Sequence, residues 1–272
     1  MSGAEIKNGN EGGATAAPSK GRPILELQRI SKRYGAVQAL TDVNFEVYSH
    51  EVVALVGDNG AGKSTLIKCI AGAHSPDEGS ILFEGIETHI HTPSDATRLG
   101  IETVYQDLAL CDNLDVVQNL FLGREHVTRL VPFVVESLSE VEMEKQALEI
   151  LAGLNVTTIS SVRSRVAALS GGQRQSVAIS RASMWNSKLV ILDEPTAALG
   201  VAQTEQVLAL IRRLRERGLG VVVVSHNLRD IFSVADRIIV LRLGRRVATF
   251  DREGTTPEDI VAAITGARIE EM

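Results

Sequence analysis

Short runs that are apolar at every position recur along the chain, at residues 52–56, 189–192 and 221–224, and each stops at a polar or glycine-rich turn. Runs that short and that uniformly apolar predict strands covered on both faces, as in a parallel sheet. Between the last two the period changes. Val207, Leu210, Ile211 and Leu214 recur three and four residues apart, which puts them on one face of a helix, and Gly218 is placed to cap its C-terminus. Strand and helix in alternation predict an α/β fold. Residues 238–241 and 247–250, on either side of Gly244, read as a closing hairpin. Near the other end, residues 24–56 show short alternating runs broken by Gly35, which predicts an antiparallel β subdomain leading into strand 52–56. From about Asp107 to Ala168 the pattern reads mainly as helix. Ser139 and Glu142 have the spacing of a capping box, and Val141, Leu148, Leu151 and Leu154 form a stripe expected to face a core.

Composition narrows the class. With 272 residues, 44% of them hydrophobic, the chain can bury a sizeable core without disulfides. A net charge of −6 gives no general attraction to nucleic acid, and none is expected as a partner. Cys69 and Cys111 have neither metal-ligand spacing nor the pattern of a bridge, which fits a reducing cytoplasm. No apolar run approaches the roughly 18 residues of a spanning helix, and the polar N-terminus has no signal-peptide core. Work at a membrane therefore requires another chain to cross it. Residues 1–22, rich in Gly, Ala, Asn and Ser, are expected to be a disordered tail.

The chemistry is concentrated at the ends of the apolar runs. After strand 52–56 comes Gly57-Asp58-Asn59-Gly60-Ala61-Gly62-Lys63-Ser64-Thr65, a complete Walker A pattern in its required context of strand, loop and helix. Its glycines let backbone N–H groups converge on phosphate oxygens, and the helix that follows, residues 64–72, points its positive end at the same anion. Lys63 is expected to reach the β- and γ-phosphates of ATP, and the Ser64 hydroxyl to ligate Mg²⁺. Strand 189–192 runs into Asp193 and Glu194. A carboxylate pair at a strand end can be a solvated turn. Beside a phosphate loop it suits a Walker B pair, with Asp193 in the Mg²⁺ shell and Glu194 polarising the attacking water. Finally, Ser170-Gly171-Gly172-Gln173 opens a helical stretch and offers unpaired N–H groups and a hydroxyl, a second anion site that a single phosphate loop does not need.

Leu169-Ser170-Gly171-Gly172-Gln173 together with both Walker motifs resembles the ATP-binding cassette family, over about residues 24–265. The resemblance implies a P-loop NTPase (RecA-like) core with an N-terminal antiparallel β subdomain and an inserted α-helical signature subdomain. The expected boundaries are 23–268 for the whole domain, 23–106 and 173–268 for the core, and 107–172 for the helical insert. It implies that the signature closes over the γ-phosphate held by the other subunit of a head-to-tail dimer. Gln106 then resembles the glutamine that contacts Mg²⁺ or the attacking water and moves with a membrane partner. His226 resembles the switch histidine at the γ-phosphate, and Tyr34 the aromatic that stacks on adenine. One departure stands out: the family usually has Ser-Ala-Leu-Asp where this chain has Ala197-Ala198-Leu199-Gly200, so a cross-dimer aspartate is absent.

Three stretches, residues 57–65, 119–125 and 194–200, look like the ATPase subunits of bacterial importers for ribose, xylose or fructose. That implies an ATPase on the cytoplasmic face of the inner membrane, docked on two membrane-spanning permease subunits that receive sugar from an extracytoplasmic binding protein. A soluble cassette protein acting on ribosomes or DNA is the alternative class. A P-loop kinase or GTPase is disfavoured because it has no use for residues 169–173.

Overall fold

Uniformly apolar runs become the middle of the central sheet. The computed structural model describes residues 21–131 and 135–267. In chain order the elements begin with β1 (Leu25–Tyr34), β2 (Val37–Val47), β3 (Val52–Val56), α1 (Lys63–Ile70), β4 (Glu78–Phe83), β5 (Ile86–Thr88), α2 (Pro93–Leu99) and β6 (Ile101–Val104). Next come α3 (Val116–Phe121), β7 (Val127–Val131), β8 (Val135–Leu138), α4 (Glu140–Gly153) and α5 (Gly171–Ala182). The chain closes with β9 (Leu189–Asp193), α6 (Val201–Glu216), β10 (Gly220–Val224), α7 (Leu228–Val234), β11 (Arg237–Arg242), β12 (Arg245–Asp251) and α8 (Pro257–Thr265).

Six strands in the order β12-β11-β3-β10-β9-β6 form the central sheet, parallel throughout except for the β11–β12 hairpin. Every residue of β3 and β10 is buried, as a strand covered on both faces requires. Val207, Leu210, Ile211 and Leu214 of α6 pack on this sheet with Ala178 and Ile179 of α5, and α7 and α8 cover its β11 side through Ile231 and Ile260. Gly218 ends α6 as the pattern predicts, in the left-handed region at φ +98°, and the Leu219 N–H reaches back to the Leu214 carbonyl.

An antiparallel second sheet, β2-β1-β4-β5, packs on α1 through Phe45, Leu27 and Ile81. Residues 24–47 supply only half of it. β4 and β5 arrive after the phosphate-loop helix, and only Ile81 and Phe83 of that pair turn inward, too short an alternation to mark a strand by itself. Arg22, at the end of the expected tail, donates to the Gly85 carbonyl at 2.7 Å; residues 1–20, the rest of that tail, lie outside the described residues.

The inserted subdomain departs most from expectation. Instead of being mainly helical, residues 107–168 contain the β7–β8 hairpin between α3 and α4. Ser139 does precede α4, but no side-chain capping bond forms; Glu142 accepts from Gln146 instead. The buried face of α4 is Met143, Ala147 and Leu151, while Val141 and Leu148 are exposed. The apolar spacing mixed two faces of one helix. At the start of the subdomain Asn119 is wholly buried and saturated: its Oδ1 accepts from the Cys111 N–H at 2.8 Å and its Nδ2 donates to the carbonyls of Cys111 and Asp115 at 3.0 Å. Those bonds add to the backbone pairing of loop 111–115, where Asp115 bridges Arg165 and the Leu114 carbonyl accepts from the Val166 N–H at 3.0 Å.

Candidate active site

Parallel register brings the motif residues to one edge. Val224 is level with Leu55 on one side and with Asp193 on the other, and Val104 is level with Leu192. The phosphate loop, the Walker B pair, His226 and Gln106 therefore all leave the sheet at the C-terminal ends of adjacent strands, where open α/β sheets hold ligands.

The phosphate loop is shaped by close approach. Gly57 has φ +151°, and a Cβ there would run into the Leu241 carbonyl; Gly62, at φ +103°, would place a Cβ 2.8 Å from both the Ala39 carbonyl oxygen and the Leu40 side chain. Gly62 is the N-cap of α1, with no side-chain cap, so the first N–H groups of the helix are free to bind an anion. Lys63 Nζ lies over the loop, donating to the Gly57 carbonyl at 2.7 Å and the Asp58 carbonyl at 3.1 Å. Asp58, Asn59, Gly60, Ser64 and Thr65 line its outer side with at least partial exposure, and Ala61 is buried beneath.

Burial, with the Glu194 charge beside it, holds the Asp193 carboxyl above the usual carboxylate range, while the ammonium groups of Lys63 and Lys68 pull it back. Asp193 thus sits within the field of the phosphate loop. Glu194 leaves the strand in a left-handed conformation, φ +50°, fixed by its own N–H on the Val224 carbonyl at 2.8 Å. Its Oε1 is 2.9 Å from Nδ1 of His226, whose side chain is 77% exposed, so the two side chains expected to serve as general base and switch histidine are in direct contact. Behind them Thr196 Oγ1 donates to Asp230 Oδ2 at 2.7 Å, both residues buried, which pins the loop after Glu194 to the helix after His226. Sequence reading missed this pair: 34 residues separate the two, and nothing in the sequence links them.

Gln106 is exposed just beyond β6. Its neighbour Tyr105 has a phenol pushed above its ordinary value by burial and by the charges of Asp193 and Asp107, so this loop runs near Asp193. Tyr34 ends β1 with 40% of its surface exposed, edge-on to His74 with ring centroids 5.5 Å apart and with Lys32 Nζ 5.8 Å from its own centroid. The signature opens α5 as a complete capping box: Ser170 Oγ accepts from the Gln173 N–H, and Gln173 Oε1 accepts from the Ser170 N–H at 2.8 Å. Gln173 Nε2 also donates to the Thr158 carbonyl at 2.5 Å. A Cβ on Gly171 would press on Leu199 and one on Gly172 on Gln203, so within one chain the signature packs on the loop after Walker B and the first turn of α6.

The model of a family described as ABC transporter matches residues 40–197. The chain belongs to the ABC transporter family. Among ABC proteins it is 48% identical over 247 residues to the fructose import ATP-binding protein FrcA of Rhizobium meliloti, covering 90% of this chain and 95% of the relative. To the xylose/arabinose import ATP-binding protein XylG of Sulfolobus acidocaldarius it is 44% identical, covering 89% and 94%. A solved dimeric cassette, MJ0796 in a post-hydrolysis state bound to ADP and Pi, superposes with a TM-score of 0.69 at 28% identity, covering 85% of this chain and all of the other. The expected α/β P-loop fold and the family resemblance are thereby borne out.

Proposed function

We propose that this ABC subunit binds and hydrolyses ATP to power import of a monosaccharide. The Glu194–His226 contact at 2.9 Å, at the strand ends that also carry the phosphate loop, is the observation that carries the reading. Lys63 and the free N–H groups of the loop and of α1 bind the β- and γ-phosphates. Glu194 accepts a proton from the attacking water as the Pγ–O bond to ADP breaks, and His226 holds that carboxylate in position. Tyr34 offers its ring to adenine, a contact that tolerates the base without reading its edges.

The donor set fits Mg²⁺: a Ser64 hydroxyl, the Asp193 carboxylate and the Gln106 amide are hard oxygen ligands, too few for an all-protein cage and suited to an ion shared with substrate phosphates. When bound, the ion supplies neutralisation of phosphate charge. Among the described residues no three His, Cys, Asp or Glu side chains form a separate metal cluster.

We further propose a head-to-tail dimer in which Ser170, Gly171, Gly172 and Gln173 of one subunit face the ATP of the other, in keeping with the dimeric solved relative. No helix among the described residues is long and apolar enough to cross a membrane. Import then requires two permease subunits, with the ATPase at the cytoplasmic face of the inner membrane and an extracytoplasmic sugar-binding protein on the far side. Purification from detergent-solubilised membranes should retrieve two polytopic subunits, and in liposomes these should make ATP turnover respond to sugar-loaded binding protein. Retrieval of ribosomal proteins or DNA instead would reject the transport reading.

A further inference from the structure

Gly171 and Gly172 lie within α5, so their backbone is helical and needs no left-handed freedom. Glycine is the poorest helix former after proline, and its use in a first turn calls for a steric reason. The reason is α6. A Cβ on Gly171 would stand 3.3 Å from Leu199 Cδ2, and one on Gly172 would stand 2.9 Å from Cβ and 3.0 Å from Cγ of Gln203. Leu199 and Gln203 flank Gly200, the position where the aspartate is missing, and Gln203 Oε1 accepts from the Gly200 N–H at 3.3 Å. A Cβ on Gly200 would meet nothing within 4 Å, so a side chain there would project freely away from its own chain.

We propose that Gln203 is a positioning residue for the trans half of the ATP site: its side chain is the spacer that seats the Gly200 loop against the signature glycines, so that the loop and the signature move as one body. With no side chain at position 200 to reach out, the loop's placement is set from within its own subunit, by Gln203 lying along Gly172. The inference rests on the proposal that the signature acts on the partner's ATP. It separates two quantities. Binding of ATP by Lys63 and the phosphate loop does not involve Gln203, whereas closure of the dimer on ATP does.

The test uses the full chain with Glu194→Gln to slow hydrolysis, and reads both ATP affinity in dilute monomer and the yield of ATP-trapped dimer by size and mass. Gln203→Ala, which removes the spacer beyond Cβ, should leave monomer affinity within twofold and reduce trapped dimer at least tenfold. Gln203→Met, which keeps the length that packs on Gly172, should retain most of the trapping. Unimpaired trapping by Gln203→Ala, trapping by Gln203→Met no better than by Ala, or a parallel loss of monomer affinity would each overturn the proposal. Failure of the Glu194→Gln parent itself to form an ATP-trapped dimer would instead reject the trans reading, and this inference with it.

Discussion

Asp193 and Glu194, adjacent in sequence, occupy opposite environments. Asp193 is half-buried with its carboxyl held above the usual range, first by burial and then by Glu194, while Glu194 is turned out of the strand onto His226. An acid whose folded pKa is raised stabilises the fold in its protonated form; that contribution is present below the ordinary pKa and is lost as pH rises through the raised value. Asp193→Asn should therefore raise the melting temperature of the nucleotide-free protein at pH 7, with the gain disappearing below about pH 4, where the carboxyl is protonated in both states. No gain at pH 7 would mean that Lys63 and Lys68 offset the burial in full. Lys63→Ala should reduce ATP affinity at least about tenfold, the effect of losing a charge-assisted bond worth about 1.5–3 kcal/mol. Isothermal titration at fixed salt would measure it. Lys63, Ser64, Asp193 and Glu194 were legible in the sequence because each lies one or two residues from a strand or loop whose geometry it inherits. Gln203 was not, because its meaning depends on a glycine 31 residues earlier against which it packs, and Cys69 carried no role to find: burial pushes its thiol up to about 11 and leaves it unreactive.

Elements were read well where one periodicity ran uninterrupted. Uniform apolar runs gave β3, β9 and β10, and the α6 face was found because Val207, Leu210, Ile211 and Leu214 are all buried. Misreadings arose where two periods overlap. In α4 the apolar set Val141, Leu148 and Leu151, with Leu154 at its C-cap, spans two faces, and tertiary contact with α3 and α5 selects Met143, Ala147 and Leu151 as the buried one within the helix. Residues 127–131 and 135–138 are rich in β-branched side chains that suit strands, but they sit between helices in a stretch whose pattern reads mainly as helix. The pin between the β9–α6 loop and α7 was equally invisible, and it yields a prediction at this scale. Thr196→Val keeps the shape and removes the donor to the buried Asp230 carboxylate, which should cost about 1–3 kcal/mol. For a chain of this size that is a fall in melting temperature of about 2–4 °C per kcal/mol. Turnover should fall with it because Glu194 and His226 lose their common anchor, whereas Thr196→Ser, which keeps the hydroxyl, should stay close to the parent in both measurements.

For the molecule as a whole, the level strand ends assemble one half of an ATP site from β3, β6, β9 and β10, while the signature sits at the start of α5 in contact with α6. Two half-sites on one subunit predict that neither is complete until two subunits meet head to tail. A mixed dimer decides this. Lys63→Ala damages the phosphate loop alone. Gly172→Asp damages the signature alone, since any side chain at that position collides with Gln203 and an aspartate adds negative charge. If the signature acts in trans, a dimer of one Lys63→Ala subunit with one Gly172→Asp subunit concentrates both lesions in one site and leaves the other whole. If each site were built within one chain, both would stay damaged. Turnover is a poor readout where hydrolysis requires both sites, so trapped ATP should be counted in a Glu194→Gln background. About one ATP per mixed dimer is expected, against almost none in either parent homodimer, where each site lacks a cation for the phosphates or carries an unpaired negative charge beside them. Mixed dimers, confirmed by mass, that trap no more ATP than the parents would reject the head-to-tail arrangement.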